Sequence, residues 1–227
     1  MAERGGRGPT LAVLRALHEW RTTRSAHREL GHGVATRLDA DGHHDDEVRA
    51  AQRMTPRRAE HFLLGRAALR RALVDADLPV PAGPIPPVGG AAPRLPGVTA
   101  SISHSGGIAV ALAGSAQRFA AIGVDLEFAA LPPAAAHLVL TEPERAWLAE
   151  AGPDLELRLL TAFSAKESVL KALDIIAAVP ILRAIALIPS GNGFVAWPTG
   201  RPDLRLSVFA QPIGPGVLTW TRLPHRP

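Results

Sequence analysis

Cysteine and tyrosine are absent from this 227-residue chain, and of its 25 basic residues only two are lysine. Without cysteine there is no disulfide framework, no thiolate zinc site and no thiol nucleophile. Aromatic residues make up 4%, too few for the stacking platforms that hold single-stranded nucleic acid. No uninterrupted apolar run approaches the roughly 18 residues that span a bilayer. The segment MAERGGRGPTLAVLRALHEWR carries basic residues but neither a long apolar core nor a small-residue cleavage site. No secretory signal is expected, and the chain reads as cytoplasmic. Arginine-rich composition explains why lysine is rare. It does not explain why Lys166 and Lys171 share one stretch, FSAKESVLKAL, beside a glutamate.

What is present describes a folded protein. Hydrophobic residues make up 47% and charged residues 20%, which argues against disorder over most of the length. One large domain or two small ones fits the length. The net charge of +4 suits phosphate-bearing ligands or acidic partners without choosing between them.

Residues 1–33 read as a loosely attached extension, poorly ordered or helical, with one amphipathic segment from Thr10 to Arg21. DADGHHDD (39–46) reads as a solvated loop, because adjacent histidines on a flexible loop lack the preorganised geometry of a metal site. From Pro56, PRRAEHFLLGRAALRRALVDADL has helical spacing, with Phe62, Leu69 and Leu73 near a 3.6-residue period. Arg58 and Arg66 lie roughly 80° apart on that wheel and can address one ligand two turns apart, although a solvated arginine face is the commoner arrangement. Residues 79–97 form a Pro/Gly-rich connector. VTASISHSGGIAVALAG reads as two strands, FAAIGVDLEFA as a third. Helical segments then end in LELRLLTAFSAKESVLKAL, and two hairpin-like units close the chain. Helices alternating with antiparallel hairpins point to an α+β fold. No GxGxxG, no Walker loop and no clear sequence repeat is present.

Two patterns carry chemistry. In AAIGVDLE, strand alternation puts Ile122, Val124 and Leu126 on one face and Gly123, Asp125 and Glu127 on the other. Two carboxylates on an otherwise apolar strand are costly unless a cation neutralises them, and hard oxygen donors favour Mg²⁺; exposure at a strand end is the equal alternative. On the helix, Ser164, Glu167, Ser168 and Lys171 share one arc, opposite Leu159, Phe163, Leu170 and Leu173. Lys166 falls within the apolar arc, where it must snorkel out or meet an anion. Three carboxylates (Asp125, Glu127, Glu167) and two lysines are equipment for transferring a phosphoryl-type group, with Ser103 and His104 of SISHS as donors to phosphate oxygens. A hydrolase triad of Ser103, His104 and Asp125 is disfavoured, because adjacent strand residues point to opposite faces.

SISHS, then IGVDLE, then FSAKESVLKAL, in that order and preceded by RRAEHFLLGRAALRRAL, resembles the signature of 4′-phosphopantetheinyl transferases. The type resembled activates carrier proteins of enterobactin-like, nonribosomal peptide and polyketide synthases. The resemblance implies two similar α/β halves around a coenzyme A cleft, with antiparallel sheets. It places an N-terminal half at 34–115 and a C-terminal half at 116–227 carrying the metal and lysine motifs. The implied reaction, of the holo-[acyl-carrier-protein] synthase type, moves 4′-phosphopantetheine from coenzyme A to a serine of an apo acyl or peptidyl carrier protein and releases 3′,5′-ADP. It further implies Mg²⁺ held by Asp125, Glu127 and Glu167, with Glu167 as general base and Lys171 among the catalytic residues. Lys166, Lys171, His104 and Ser103 would meet the diphosphate, and Arg58, Arg66 and Arg94 the other phosphates. A duplicated fold completes its cleft within one chain, so a monomer is expected, with neither nucleic acid nor membrane as partner. The sequence departs from the family in three places. GGAAPRLP offers only Arg94 as a basic connector residue, with no aromatic near Leu95. DIIAAVP follows the last motif where a large residue is usual, and residues 1–33 have no counterpart. A non-catalytic coenzyme A or carrier binder and another Mg²⁺-dependent phosphotransferase are the alternatives.

Overall fold

The chain divides into two units, Met1–Ser115 and Ala116–Pro227, in a computed structural model that describes residues 9–22, 29–37, 43–86, 93–173 and 182–225. Each unit lays one long helix against an antiparallel sheet, so the class is α+β.

In the first unit α1 (Leu11–Thr22), β1 (Gly31–Thr36), α2 (Asp45–Ala51), α3 (Pro56–Asp75), β2 (Val98–Ser105) and β3 (Ile108–Ser115) follow in order, and the sheet runs β1-β3-β2. Pro56 opens α3 at its first turn, where a missing N–H costs nothing. Leu64, Leu69 and Leu73 of α3 pack on Ala109, Ala111 and Ala113 of β3. Small residues bring β1 closer still. A Cβ on Gly31 would stand 1.9 Å from the Ala72 carbonyl oxygen, and one on Gly33 1.8 Å from that of Ala68.

Two expectations change here. The helix foreseen near Thr10–Arg21 forms, but it buries Val13, Leu17 and Trp20. Residues 31–33 already belong to β1, because their glycines admit the backbone of α3. The end of DADGHHDD is the start of α2. His44 caps it, its Nδ1 accepting from Asp46 N at 3.2 Å, and Asp45, Asp46 and Glu47 fill the first turn, where acidic groups are favoured. Residues 1–8 and 23–28 of the extension, 38–42 of the loop, 87–92 of the connector and DIIAAVP lie outside the described residues.

The second unit contains β4 (Phe119–Glu127), α4 (Ala136–Val139), α5 (Glu142–Ala149), α6 (Leu155–Leu173), β5 (Ile185–Ser190), β6 (Gly193–Pro198), β7 (Leu206–Ile213) and β8 (Gly216–Pro224). The sheet order is β4-β8-β7-β6-β5, with tight turns at Gly191–Asn192 and Gly214–Pro215 joining its two hairpins. Leu159, Val169 and Leu173 of α6 meet Phe194, Leu206 and Val208 of the sheet. Gly123 again allows helix and strand to touch, since a Cβ there would lie 1.8 Å from the Ser168 carbonyl oxygen.

One device recurs in both units. Glu47, third residue of α2, is fully buried; it takes a forked pair of bonds from Arg70 of α3 at 2.8 and 2.9 Å and one from Ile85 N at 2.8 Å. Glu144, third residue of α5, takes Lys166 of α6 at 2.6 Å and Leu187 N at 2.7 Å. Each glutamate also accepts from the backbone N–H of its own helix cap, His44 or Thr141. Each unit thus locks a short helix, a long helix and a later segment through one carboxylate.

Candidate functional site

Strand alternation in β4 turns Gly123, Asp125 and Glu127 towards α6, as the sequence pattern requires. Asp125 is only 6% exposed. Its Oδ1 accepts from Lys171 Nζ at 2.8 Å and its Oδ2 from Ser164 Oγ at 2.8 Å. Lys171 also donates to the Val124 carbonyl at 3.2 Å, and the Ser164 hydroxyl meets Thr219 Oγ1 of β8 at 2.9 Å. The carboxylate is therefore fixed in direction by one cation and one buried hydroxyl pair. Such charge-assisted bonds are about twice as strong as neutral ones.

Glu127 folds back on its own turn, Oε1 accepting from Phe128 N at 2.8 Å and Ala129 N at 2.7 Å. Glu167 is different. It is half-buried, and no hydrogen-bond partner for its carboxylate exists among the described residues. Burial, and next the charge of Asp125, hold it above the usual carboxylate range; Lys171 pulls the other way and Glu127 adds to the rise. Glu167 thus lies in electrostatic reach of two further carboxylates and one ammonium. An all-oxygen set with surplus negative charge suits a hard divalent cation in donor type. Among the described residues, however, no three His, Cys, Asp or Glu side chains are gathered closely enough to hold one.

Lys166 does not join this group. Its ammonium is 0% exposed and donates to Glu144 Oε2 and, at 2.9 Å, to the Val139 carbonyl. The expectation that it meets the diphosphate is corrected: its place in the apolar arc directs it into the core, and the anion it meets is a carboxylate of this chain. Burial first lowers its pKa, with Glu144 opposing that shift.

In the first unit Ser103 is buried and its neighbour His104 exposed, so adjacent strand positions do face opposite ways. The His104 ring stacks on His61 of α3, centroids 4.6 Å apart and planes 13° apart, beside Gly65. Arg58, one turn before His61, is exposed. Arg66 is 5% exposed, lies over the Phe62 ring at 4.1 Å and donates to the Ile85 carbonyl at 3.5 Å. Arg58 and Arg66 therefore do not present one shared face, because position 66 turns into the packing under Ile85. Arg94 is exposed, its backbone tied to the Pro86 carbonyl at 3.2 Å.

Sequence reasoning missed Thr219, His61, Glu144 and a role for Ser164. Ser164 had a signal, since it shares the wheel arc of Glu167 and Lys171. Thr219 had none, being 94 positions along the chain from Asp125 on a strand that pairs with β4 only in the fold.

A family model for the 4′-phosphopantetheinyl transferase N-terminal domain matches residues 46–114, and one for the 4′-phosphopantetheinyl transferase superfamily matches residues 121–206. Among solved structures, holo-[acyl-carrier-protein] synthase of Thermotoga maritima is similar at 15% identity and a TM-score of 0.40. That likeness covers 48% of this chain and 65% of the other, so it spans less than two thirds of that protein. No curated protein matches.

Proposed function

This chain belongs to the 4′-phosphopantetheinyl transferase superfamily, and we propose that it transfers 4′-phosphopantetheine from coenzyme A to a serine of apo carrier proteins of secondary-metabolite synthases. The observation that carries the reading is Glu167. It is a half-buried carboxylate without a hydrogen-bond partner among the described residues, held above its usual range beside an Asp125 that accepts from Lys171 and Ser164.

In this reading Glu167 takes the proton of the carrier serine. The serine oxygen attacks the phosphorus that bears the pantetheine arm. The bond from that phosphorus to the bridging oxygen breaks, and 3′,5′-ADP leaves with the electron pair. Lys171 covers charge on the diphosphate, held in place by Asp125 and the Val124 carbonyl. Asp125, Glu127 and Glu167 would have to draw closer than they stand here to hold Mg²⁺, and the metal would then supply neutralisation of the diphosphate oxygens. His104, steadied by the His61 stack, together with Arg58 and Arg94, would bind the phosphates of coenzyme A, whereas Ser103 lies on the opposite, buried face of β2.

Incubation with coenzyme A, Mg²⁺ and a panel of apo carrier proteins should add the mass of one phosphopantetheine to at least one carrier. The gain should vanish with EDTA and return with Mg²⁺. No gain on any carrier type sinks the proposal.

A further inference from the structure

The one fully buried lysine is the residue immediately before Glu167. Lys166 Nζ is 2.6 Å from Glu144 Oε2 and 2.9 Å from the Val139 carbonyl. Glu144, 4% exposed, accepts at the same time from Thr141 N at 2.8 Å and Leu187 N at 2.7 Å. One carboxylate therefore ties the start of α5, the middle of α6 and the strand β5. We infer that Lys166 is a positioning residue that never touches coenzyme A: anchored by Glu144, it sets the rotation of α6 so that Ser164, Glu167 and Lys171 face Asp125. The inference rests on the function proposed above for Glu167.

Helical geometry supplies the link. At 100° per residue, the arc of Ser164, Glu167, Ser168 and Lys171 is centred roughly 150° round from Lys166. Holding Lys166 in the core therefore holds that arc towards β4. A turn of α6 that freed Lys166 for a ligand would swing Ser164 and Lys171 off Asp125 and strand Glu144 as a buried, unpaired charge. The choice of lysine follows from the same enclosure. An ammonium has three donors, and two of them are used here. Arginine brings five in a rigid fork, which a fully enclosed site cannot satisfy. In the first unit the corresponding cation is Arg70, whose side chain is 16% exposed and has the Gly83 carbonyl as a further acceptor. There arginine fits, and arginine is what the chain uses.

The test uses the full-length chain with Lys166→Met, Glu144→Gln and the double variant. Stability is read by denaturant unfolding, coenzyme A affinity by calorimetry, and kcat and KM with a carrier substrate. We expect each single variant to be destabilised and the double variant to regain most of the loss, a coupling that a ligand-binding lysine would not show. We expect the double variant to bind coenzyme A within about threefold of the parent, with KM unchanged and kcat lowered about tenfold or more. If Lys166→Met does not fold, the double variant carries the comparison. A tenfold loss of coenzyme A affinity in the folded double variant overturns the inference, as does full kcat, which would leave the pair merely stabilising. Absence of stability coupling overturns it too. The coupling needs neither coenzyme A nor a carrier, so it decides the anchor even if the parent protein modifies no carrier and the proposed function fails.

Discussion

Lys171 and Glu167 are the two side chains on which the proposed chemistry turns, and each makes a separable prediction. Lys171 fits between Asp125 Oδ1 and the Val124 carbonyl as a compact ammonium. Lys171→Arg keeps the charge but puts a planar fork into that space. It should lower kcat/KM at least tenfold while leaving the fold intact by circular dichroism, and near-parental turnover would remove Lys171 from the mechanism. Glu167 predicts a pH effect on stability. Its folded pKa lies above the ordinary glutamate value of 4.5, so between 4.5 and the folded value the native state binds the extra proton. In that window stability falls as pH rises. In EDTA, Glu167→Gln should abolish this decline and be more stable than the parent above the window, with the gap closing below pH 4.5. Parallel stability curves for the two proteins would show that Glu167 carries no electrostatic strain.

At the scale of elements, the site depends on how closely α6 approaches β4. Gly123 is the contact point, and Gly123→Ala would press a methyl against the Ser168 carbonyl at 1.8 Å, where backbone rather than a flexible side chain must yield. Overpacking of this kind costs about 1–3 kcal/mol. Denaturant unfolding should show at least that loss, and activity should fall further than stability because Asp125 and Ser164 move apart. The strands β2, β3 and β4, the two long helices and both C-terminal hairpins were legible, since each has an unbroken period or a Gly-marked turn. β1 and α2 were not. GHGVAT has little apolar patterning because its inward positions are glycines that make room for α3, and α2 is a short helix whose start looks like a polar loop.

Across the molecule, the two units share a plan that the sequence does not display as a repeat. Gly31 meets the Ala72 carbonyl as Gly123 meets that of Ser168; the next inward residue is Gly33 beside Ala68 in one unit and Asp125 beside Ser164 in the other. Five residues after the anchoring cation, Asp75 accepts from His32 N at 2.9 Å, whereas Lys171 donates to the Val124 carbonyl. The second unit has placed a carboxylate and a lysine where the first has a bare backbone and an aspartate. The whole-chain charge of +4, nearly all its cations arginine, also makes a prediction. If the partner is an acidic carrier protein, kcat/KM for the carrier should fall several-fold between about 20 mM and 300 mM salt, largely through slower association. A flat salt profile would remove electrostatic steering from the account.

By itself the sequence determined the fold class, the face of β4 that carries Asp125 and Glu127, and the arc of α6 that carries Glu167 and Lys171. Periodicity within one element is enough for that, because it depends only on residues a few positions apart. Tertiary structure alone decided which cation serves which anion. Lys166 and Lys171 are five residues apart and alike in sequence context, yet one is sealed against Glu144 and the other reaches Asp125. That division depends on α5, which lies against α6 only once the unit has folded. The clustering of the two lysines therefore has two physical causes: an enclosed site that cannot satisfy arginine's five donors, and an aspartate that a compact ammonium can share with a backbone carbonyl.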